Sequence, residues 1–424
     1  MRRVSICRWL FHALLVCATG FVASHADAAL TTNNWINLSS GKWETAGNWS
    51  LGLPSRSQSI LTITNGSVSG KIITIDSNTV SLALSSLTIS NLFLSAPLST
   101  QKNFLDLVNT GSTPLEILDT LTISSGASIS ITNSTLLVDG SGVTVSVFDD
   151  GDIWLNTGTL IVTNKIMELG AAGQGTLTIS NGLMEAGSLE LGAFAGSQGT
   201  LTVAGGTNSV NKLLLIGTSD CRATGTVTVA GGTLFVTNSS GSAVLDVENG
   251  TFTLSSGTVI VNTFVITNAC AHFVRTGGTL IYSNVVLNAN DDTDGDGIPN
   301  GYELAYGLDP LDPSNATKDS DGDGMTDLQE YLAGTDPTNS ASVFRITSIN
   351  REGNDIRVTW NCVSGRPYIV QADTPSTNGS YTNNFTDLSG LIFAFLSSTN
   401  YLDGGGATNK PARYYRVMLY QGPL

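Results

Sequence analysis

Four near-copies of one short segment constrain this chain more than any other feature. Gly175-Thr176-Leu177-Thr178-Ile179, Gly199-Thr200-Leu201-Thr202-Val203, Gly225-Thr226-Val227-Thr228-Val229 and Gly250-Thr251-Phe252-Thr253-Leu254 follow one another at a nearly constant interval. Each alternates polar and apolar residues, the period of a strand with one buried face. A Gly-Thr pair follows at Gly206-Thr207, Gly232-Thr233 and Gly257-Thr258, with a weaker copy at Gly278-Thr279. Apolar strands ending in glycine lie between, such as Met167-Glu168-Leu169-Gly170 and Leu189-Glu190-Leu191-Gly192. A repeat of about 25 residues, made only of short strands and turns, fits one coil of a parallel β-solenoid. Coils stack at about 4.8 Å, so residues 58–289 read as roughly nine coils in a rod about 45 Å long. Between Ile60 and Leu160 the composition persists but the period blurs.

Composition agrees with an all-β chain. Charged residues are 12% of the 424, against 41% hydrophobic and 46 glycines. That is about half the usual charge density with an ordinary apolar share, which excludes a disordered polyelectrolyte. The net charge of −15 excludes a partner held by non-specific attraction to phosphates, so no nucleic acid is expected.

Residues 1–28 read as an address. Arg2, Arg3 and Arg8 precede an apolar stretch from Trp9 to about Val22, and Ala26-Asp27-Ala28 offers small residues for cleavage before Ala29. Val16 stands where a lipoprotein signal needs a small residue, which argues against lipidation at Cys17. No other stretch is apolar enough to span a membrane, so an exported, soluble mature chain is expected. Cys221, Cys270 and Cys362 remain in it. The separation of Cys221 from Cys270 is close to two coils. At equal phase their Cα atoms would be about 9.6 Å apart, beyond disulfide reach, so free buried thiols are expected.

An open solenoid end is an exposed sheet edge and needs a cover. Residues 29–57 hold Trp35, Trp43 and Trp49, then Pro54, and read as a packed N-terminal cap rather than a sugar-stacking platform. With this element the chain resembles secreted bacterial surface proteins with autotransporter-associated β-strand repeats. That resemblance implies a right-handed β-helix.

The most specific motif lies at residues 290–340. Asp292, Asp294, Asp296, Gly297, Asn300 and Glu303 recur in the same spacing as Asp319, Asp321, Asp323, Gly324, Asp327 and Glu330. Loop positions 1, 3, 5, 9 and 12 thus carry side-chain oxygens, and a glycine at position 6 permits the sharp turn. The backbone carbonyls of Ile298 and Met325 at position 7 would complete a shell for calcium, which takes six to eight hard oxygens. Residues 291–339 contain 13 acidic residues and one base, Lys318, a density that calls for a cation. Short helical turns are expected at 302–306 and 328–332, stopped by Gly307 and Gly334. With the apolar residue at position 7 and Pro299 at position 8, the loops depart from an EF-hand and resemble thrombospondin type 3 repeats. The resemblance implies extracellular calcium sites, whose dissociation constants typically lie near about 10⁻⁴–10⁻³ M.

From residue 341 the texture changes again. Phe344–Ile349, Ile356–Trp360, Tyr368–Gln371 and Tyr414–Leu419 alternate as strands. About 83 residues suit a small immunoglobulin-like β-sandwich. Trp360, Gly365-Arg366-Pro367-Tyr368-Ile369-Val370-Gln371 and Tyr414-Tyr415-Arg416-Val417 resemble the terminal domain that follows such repeats in bacterial surface proteins.

The expectation is therefore a secreted or cell-surface, non-enzymatic protein, adhesive, carbohydrate-binding or structural, with a calcium-stabilised linker. The competing class is a β-helix polysaccharide lyase or hydrolase. The one acidic cluster of the solenoid, Asp149, Asp150 and Asp152, reads as an ordinary turn. His272 has no nucleophile motif beside it, and no catalytic residue is assigned. Polysaccharide is the expected partner class.

Overall fold

The computed structural model describes residues 31–421, apart from 57, 59, 65–69, 97–101, 141–142, 375–379 and 409–411. The expected leader, residues 1–28, lies outside the described residues. The chain forms a parallel β-solenoid of about ten turns, an acidic linker, and small antiparallel sheets.

Each regular coil presents three strands, and like strands stack in register. In one coil, Gln174–Ile179 is followed by Leu183–Leu191, which bends into two faces before Gln198–Val203 begins the next. Along one face Leu169, Leu191, Ile216, Val247 and Ile266 pair rung to rung. Along the next face Leu177, Leu201, Val227, Phe252 and Phe273 do the same. All of these except Ile266 and Phe273 are fully buried, and together they form one continuous core. The alternation read in the sequence is this division: Leu177 and Ile179 point in, while Thr176 and Thr178 point out.

The repeated glycines have two separate causes. Gly192 sits at a corner with φ +70°, and a Cβ there would lie 2.6 Å from the Thr224 carbonyl oxygen of the next coil. Gly206, of the Gly-Thr pairs, has φ +76° and would clash at 1.9 Å with the Gly182 carbonyl oxygen. Left-handed backbone and coil-to-coil contact both exclude a side chain.

The upstream coils keep the same ladders, but the first have longer connections and some later ones shorter, so the period blurs. Leu61 pairs with Leu92 and Ile72 with Phe104, wider steps along the chain than Leu177 to Leu201 downstream. Part of the extra length is a helix at Ser77–Ala83, capped by Asp76, whose carboxylate accepts from the Asn78 and Thr79 N–H groups. The three tryptophans pack into the core at the first coils. Trp35, Trp43 and Trp49 are at most 2% exposed, and Trp49 meets both others edge to face at 5.0 Å. The Trp43 indole donates to the Ser86 hydroxyl at 3.1 Å.

The cysteine expectation is overturned: Cys221 and Cys270 form a disulfide, with Cα atoms 6.1 Å apart. Neither is buried. Equal phase was the wrong premise, because the corners differ in length. The corners between Ile216 and Thr224 and between Ile266 and Ala271 are long, whereas only Glu248 and Asn249 separate Val247 from Gly250. The short middle corner leaves room for the flanking loops to reach across it. Asn268 Nδ2 also ties them by donating to the Ser219 carbonyl at 2.9 Å. Cys362 is free and buried.

Beyond the linker, Ile346–Glu352, Asp355–Asn361 and Ser398–Asp403 make one antiparallel sheet. Pro367–Asp373 pairs with Tyr414–Leu419, Thr386–Asp387 and Ile392–Phe393 in another. They share a core of Val358, Trp360, Tyr368 and Val370, so these aromatic residues serve packing.

Replacing Cys221 with serine should lower unfolding stability by about 2–4 kcal/mol, measured by denaturant titration. Alkylation of the denatured, unreduced chain should spare Cys221 and Cys270 and modify Cys362; labelling of all three would refute the bridge.

Candidate metal centre

The linker is built twice over from a loop and a short helix. Asn300–Tyr306 and Asp327–Ala333 are the helices, each ended by a left-handed glycine, Gly307 at φ +72° and Gly334 at φ +78°. Within the loops Gly295 and Gly297 have φ +79° and +96°, and Gly322 and Gly324 have φ +79° and +99°. Only glycine adopts these angles without strain, so the chain curls tightly enough to aim successive carboxylates at one centre.

Hydrogen bonds set the curl. Asp292 accepts from the Gly295 N–H at 2.8 Å and the Gly297 N–H at 2.9 Å. Asp319 accepts from Gly322 and Gly324 at 2.7 and 2.9 Å. One oxygen of Asp296 takes the Ile298 N–H, and one of Asp323 takes the Met325 N–H, both at 2.8 Å. One oxygen each from Asp292, Asp294 and Asp296 lies within 4.8 Å of the others, and likewise for Asp319, Asp321 and Asp323. The side chain of Ile298 is fully buried, and the Met325 sulfur accepts from the Phe344 N–H at 3.3 Å.

What remains unsatisfied points to a cation. Asp294 Oδ2, Asp296 Oδ2 and Glu303 Oε2 are buried without a hydrogen-bond donor in the first repeat. Asp321 Oδ2, Asp323 Oδ2 and both oxygens of Glu330 match them in the second. Glu303 and Glu330 are fully buried. Acceptors without donors, repeated at positions 3, 5 and 12, fit a hard divalent ion that binds oxygen only. The position-9 side chains set loop shape. Asn300 accepts from the Thr293 N–H and donates to the Thr293 hydroxyl, while Asp327 accepts from the N–H and hydroxyl of Ser320. Thr293 and Ser320 were not singled out in the sequence; a hydroxyl at position 2 of both loops was the available signal.

Burial, reinforced by the neighbouring carboxylates, raises the affinity of these groups for protons. Asp294 is pushed up to about 8, and Glu303 and Glu330 to about 7. Asp296 and Asp321 also rise, chiefly by burial.

The acidic cluster of the solenoid is held mostly by hydrogen bonds, with one buried oxygen, Asp149 Oδ2, meeting no donor. Asp149 is buried and accepts from the Gly151 N–H at 2.9 Å. Asp150 accepts from the Ala172 and Gly173 N–H groups of the next coil. Asp152 pairs with Lys102 and accepts from the Ser128 and Thr176 hydroxyls. All three brace a turn. His272 is exposed on the outer face of a strand.

Residues 292–313 and 319–340 each match the model of the bacterial TSP3 repeat. No curated protein and no solved structure matches the chain. The linker is therefore a pair of repeats of a calcium-binding type, and its aspartate triplets could hold a metal ion.

The raised carboxylates make pH a direct test. Their ionised form is the ligand, so calcium should bind more weakly at pH 6 than at pH 8.5, by on the order of tenfold at the second loop, where Glu330 lies at about 7, and by more at the first, where Asp294 lies at about 8, with proton release on binding. Without metal the sign reverses. A carboxylate with a raised folded pKa stabilises the fold below its unfolded value near 4 and loses that contribution as pH rises through about 8. Calorimetry at both pH values and melts in chelator would check both signs.

Proposed function

We propose that this is an exported, non-enzymatic surface or structural protein in which two calcium ions stiffen the joint between a β-solenoid and terminal antiparallel sheets. The observation that carries this reading is the duplicated set of buried, donor-less carboxylate oxygens in the linker. Asp292, Asp294, Asp296, Asn300 and Glu303 would hold one ion, and Asp319, Asp321, Asp323, Asp327 and Glu330 the other. The Ile298 and Met325 carbonyls are the further ligands this reading assigns. An extracellular setting suits loops of this affinity class, since calcium at about 1 mM and a dissociation constant near 10⁻⁴ M would add about 1.4 kcal/mol per site. The disulfide supports export as well, because such bonds persist in oxidising compartments.

The solenoid serves as a spacer, and adhesion to a polysaccharide is the role we assign to the assembly. Against the lyase or hydrolase alternative, Asp150 and Asp152 are engaged in hydrogen bonds within the turn and to the next coil, and Asp149 is buried with one oxygen held by the Gly151 N–H. Calcium should protect residues 290–340 from proteolysis, and Asp292→Ala with Asp319→Ala should abolish that protection. Unchanged cleavage would remove the calcium reading. Affinity electrophoresis with calcium, through gels holding acidic and neutral polysaccharides, tests adhesion. Retardation by one polymer without shortened products supports a binder; depolymerised product would establish the enzyme instead, and uniform mobility would leave a structural role.

A further inference from the structure

The C-terminal end of the solenoid is closed by the linker, and the closure is wired to the first loop. The last coil consists of Ala271–Arg275 and Thr279–Leu287. Among the described residues no further rung follows it, and Leu280, Tyr282, Val285 and Leu287 pack only partly buried against the core. Leu311, which lies between the two acidic loops, is fully buried and joins that same core. It is the counterpart of the tryptophan plug at the other end.

What holds Leu311 is a series of polar contacts leading back to the cation site. The Arg275 guanidinium donates to the Leu311 carbonyl at 3.1 Å. Asp309 accepts from the Leu311 N–H at 3.1 Å and from the Tyr282 hydroxyl at 2.6 Å. Asn315 Nδ2 donates to the Asp309 carbonyl at 2.9 Å and to Glu303 Oε1 at 2.8 Å. Glu303 is the position-12 residue of the first loop, and its other oxygen is buried without a donor. The same loop is also pinned to the solenoid exit, where Asn300 Nδ2 donates to the Asn288 carbonyl at 2.7 Å and the Gly301 N–H to the Ala289 carbonyl at 2.8 Å. The second loop meets the terminal sheets, where Met325 contacts Phe344 and Arg366 lies over Gly334, while its helix also packs on the Asn315–Thr317 turn.

We propose that a divalent cation in the first loop acts as the latch of the solenoid's C-terminal plug. The inference rests on the calcium reading above and adds a division of labour between the two sites. With the ion bound, Glu303 is held in place, Asn315 and Asp309 follow, and Leu311 stays seated. Without it, uncompensated carboxylates repel, the Glu303–Asn315 contact is lost, and the plug and last rung open locally. The second site chiefly stiffens the attachment of the terminal sheets and reaches the plug only through the packing of its helix on the Asn315–Thr317 turn.

Hydrogen exchange of the whole chain, disulfide intact, tests this with calcium and then with chelator. Chelation should speed amide exchange in 271–287 and 306–315 by on the order of tenfold or more, while 174–254 stays protected. Asp294→Asn should reproduce the chelator pattern in calcium, and Asp321→Asn should speed exchange of 271–287 clearly less; equal effects would overturn the division of labour. Tyr282→Phe, which removes one hydroxyl and keeps the ring, should weaken protection of the last rung while calorimetry still finds calcium bound at both sites. Two bound ions with calcium-independent exchange of the last rung would overturn the latch and leave the calcium reading intact. Absence of calcium binding by calorimetry would overturn both.

Discussion

Everything in this molecule depends on in-register stacking of parallel coils. Each coil supplies strands too short to bury an apolar face alone, and the next coil, about 4.8 Å away, completes both its hydrogen bonds and its core. That spacing is why glycine recurs where it does. Corners such as Gly192 and Gly206 combine left-handed backbone with direct contact between coils, and a Cβ at either would touch the neighbouring backbone. A slip of a single position would turn Leu177 and its partners outward and bring Thr176 and its partners in.

A stack has two ends, and the chain treats them differently. At the start the plug is aromatic: Trp35, Trp43 and Trp49 cover the first coils by packing area, without a charged group among them. At the finish Leu311 contributes the apolar part, but its seat is fixed through Asp309, Asn315 and Glu303. On the latch proposed above, a plug held through carboxylates would respond to a cation where a plug of tryptophan would not. The Cys221–Cys270 bridge reinforces the same end from its corner, spanning the short loop of the intervening coil.

The linker shows how the same residues serve fold and site together. Asp292 and Asp319 organise their loops through backbone N–H groups, which leaves the second oxygens of Asp294, Asp296, Asp321 and Asp323 without donors. Burial raises the proton affinity of Asp294, Asp296 and Asp321, and once ionised such carboxylates are hard oxygen ligands. The repeats join to each other through Tyr302, whose ring meets Tyr331 at 5.0 Å and whose hydroxyl donates to the Thr335 carbonyl.

Local signals in the amino-acid order determined the solenoid class, the acidic loops, the helix stops at Gly307 and Gly334, and the buried tryptophans. Each of these follows from period, residue type and spacing, quantities that neighbours along the chain supply. Upstream, connections of unequal length and the helix at Ser77–Ala83 hid a period that the ladders nevertheless keep. The strand Ser398–Asp403 and the short corner at 248–249 likewise left no local mark. Only the tertiary structure decided that Cys221 reaches Cys270, that Leu311 seats in the solenoid core, and that Glu303 connects to Tyr282 through Asn315 and Asp309. These contacts join segments whose separation in space depends on how corners of unequal length stack, and that is a property of neighbouring coils together, not of any one stretch of sequence.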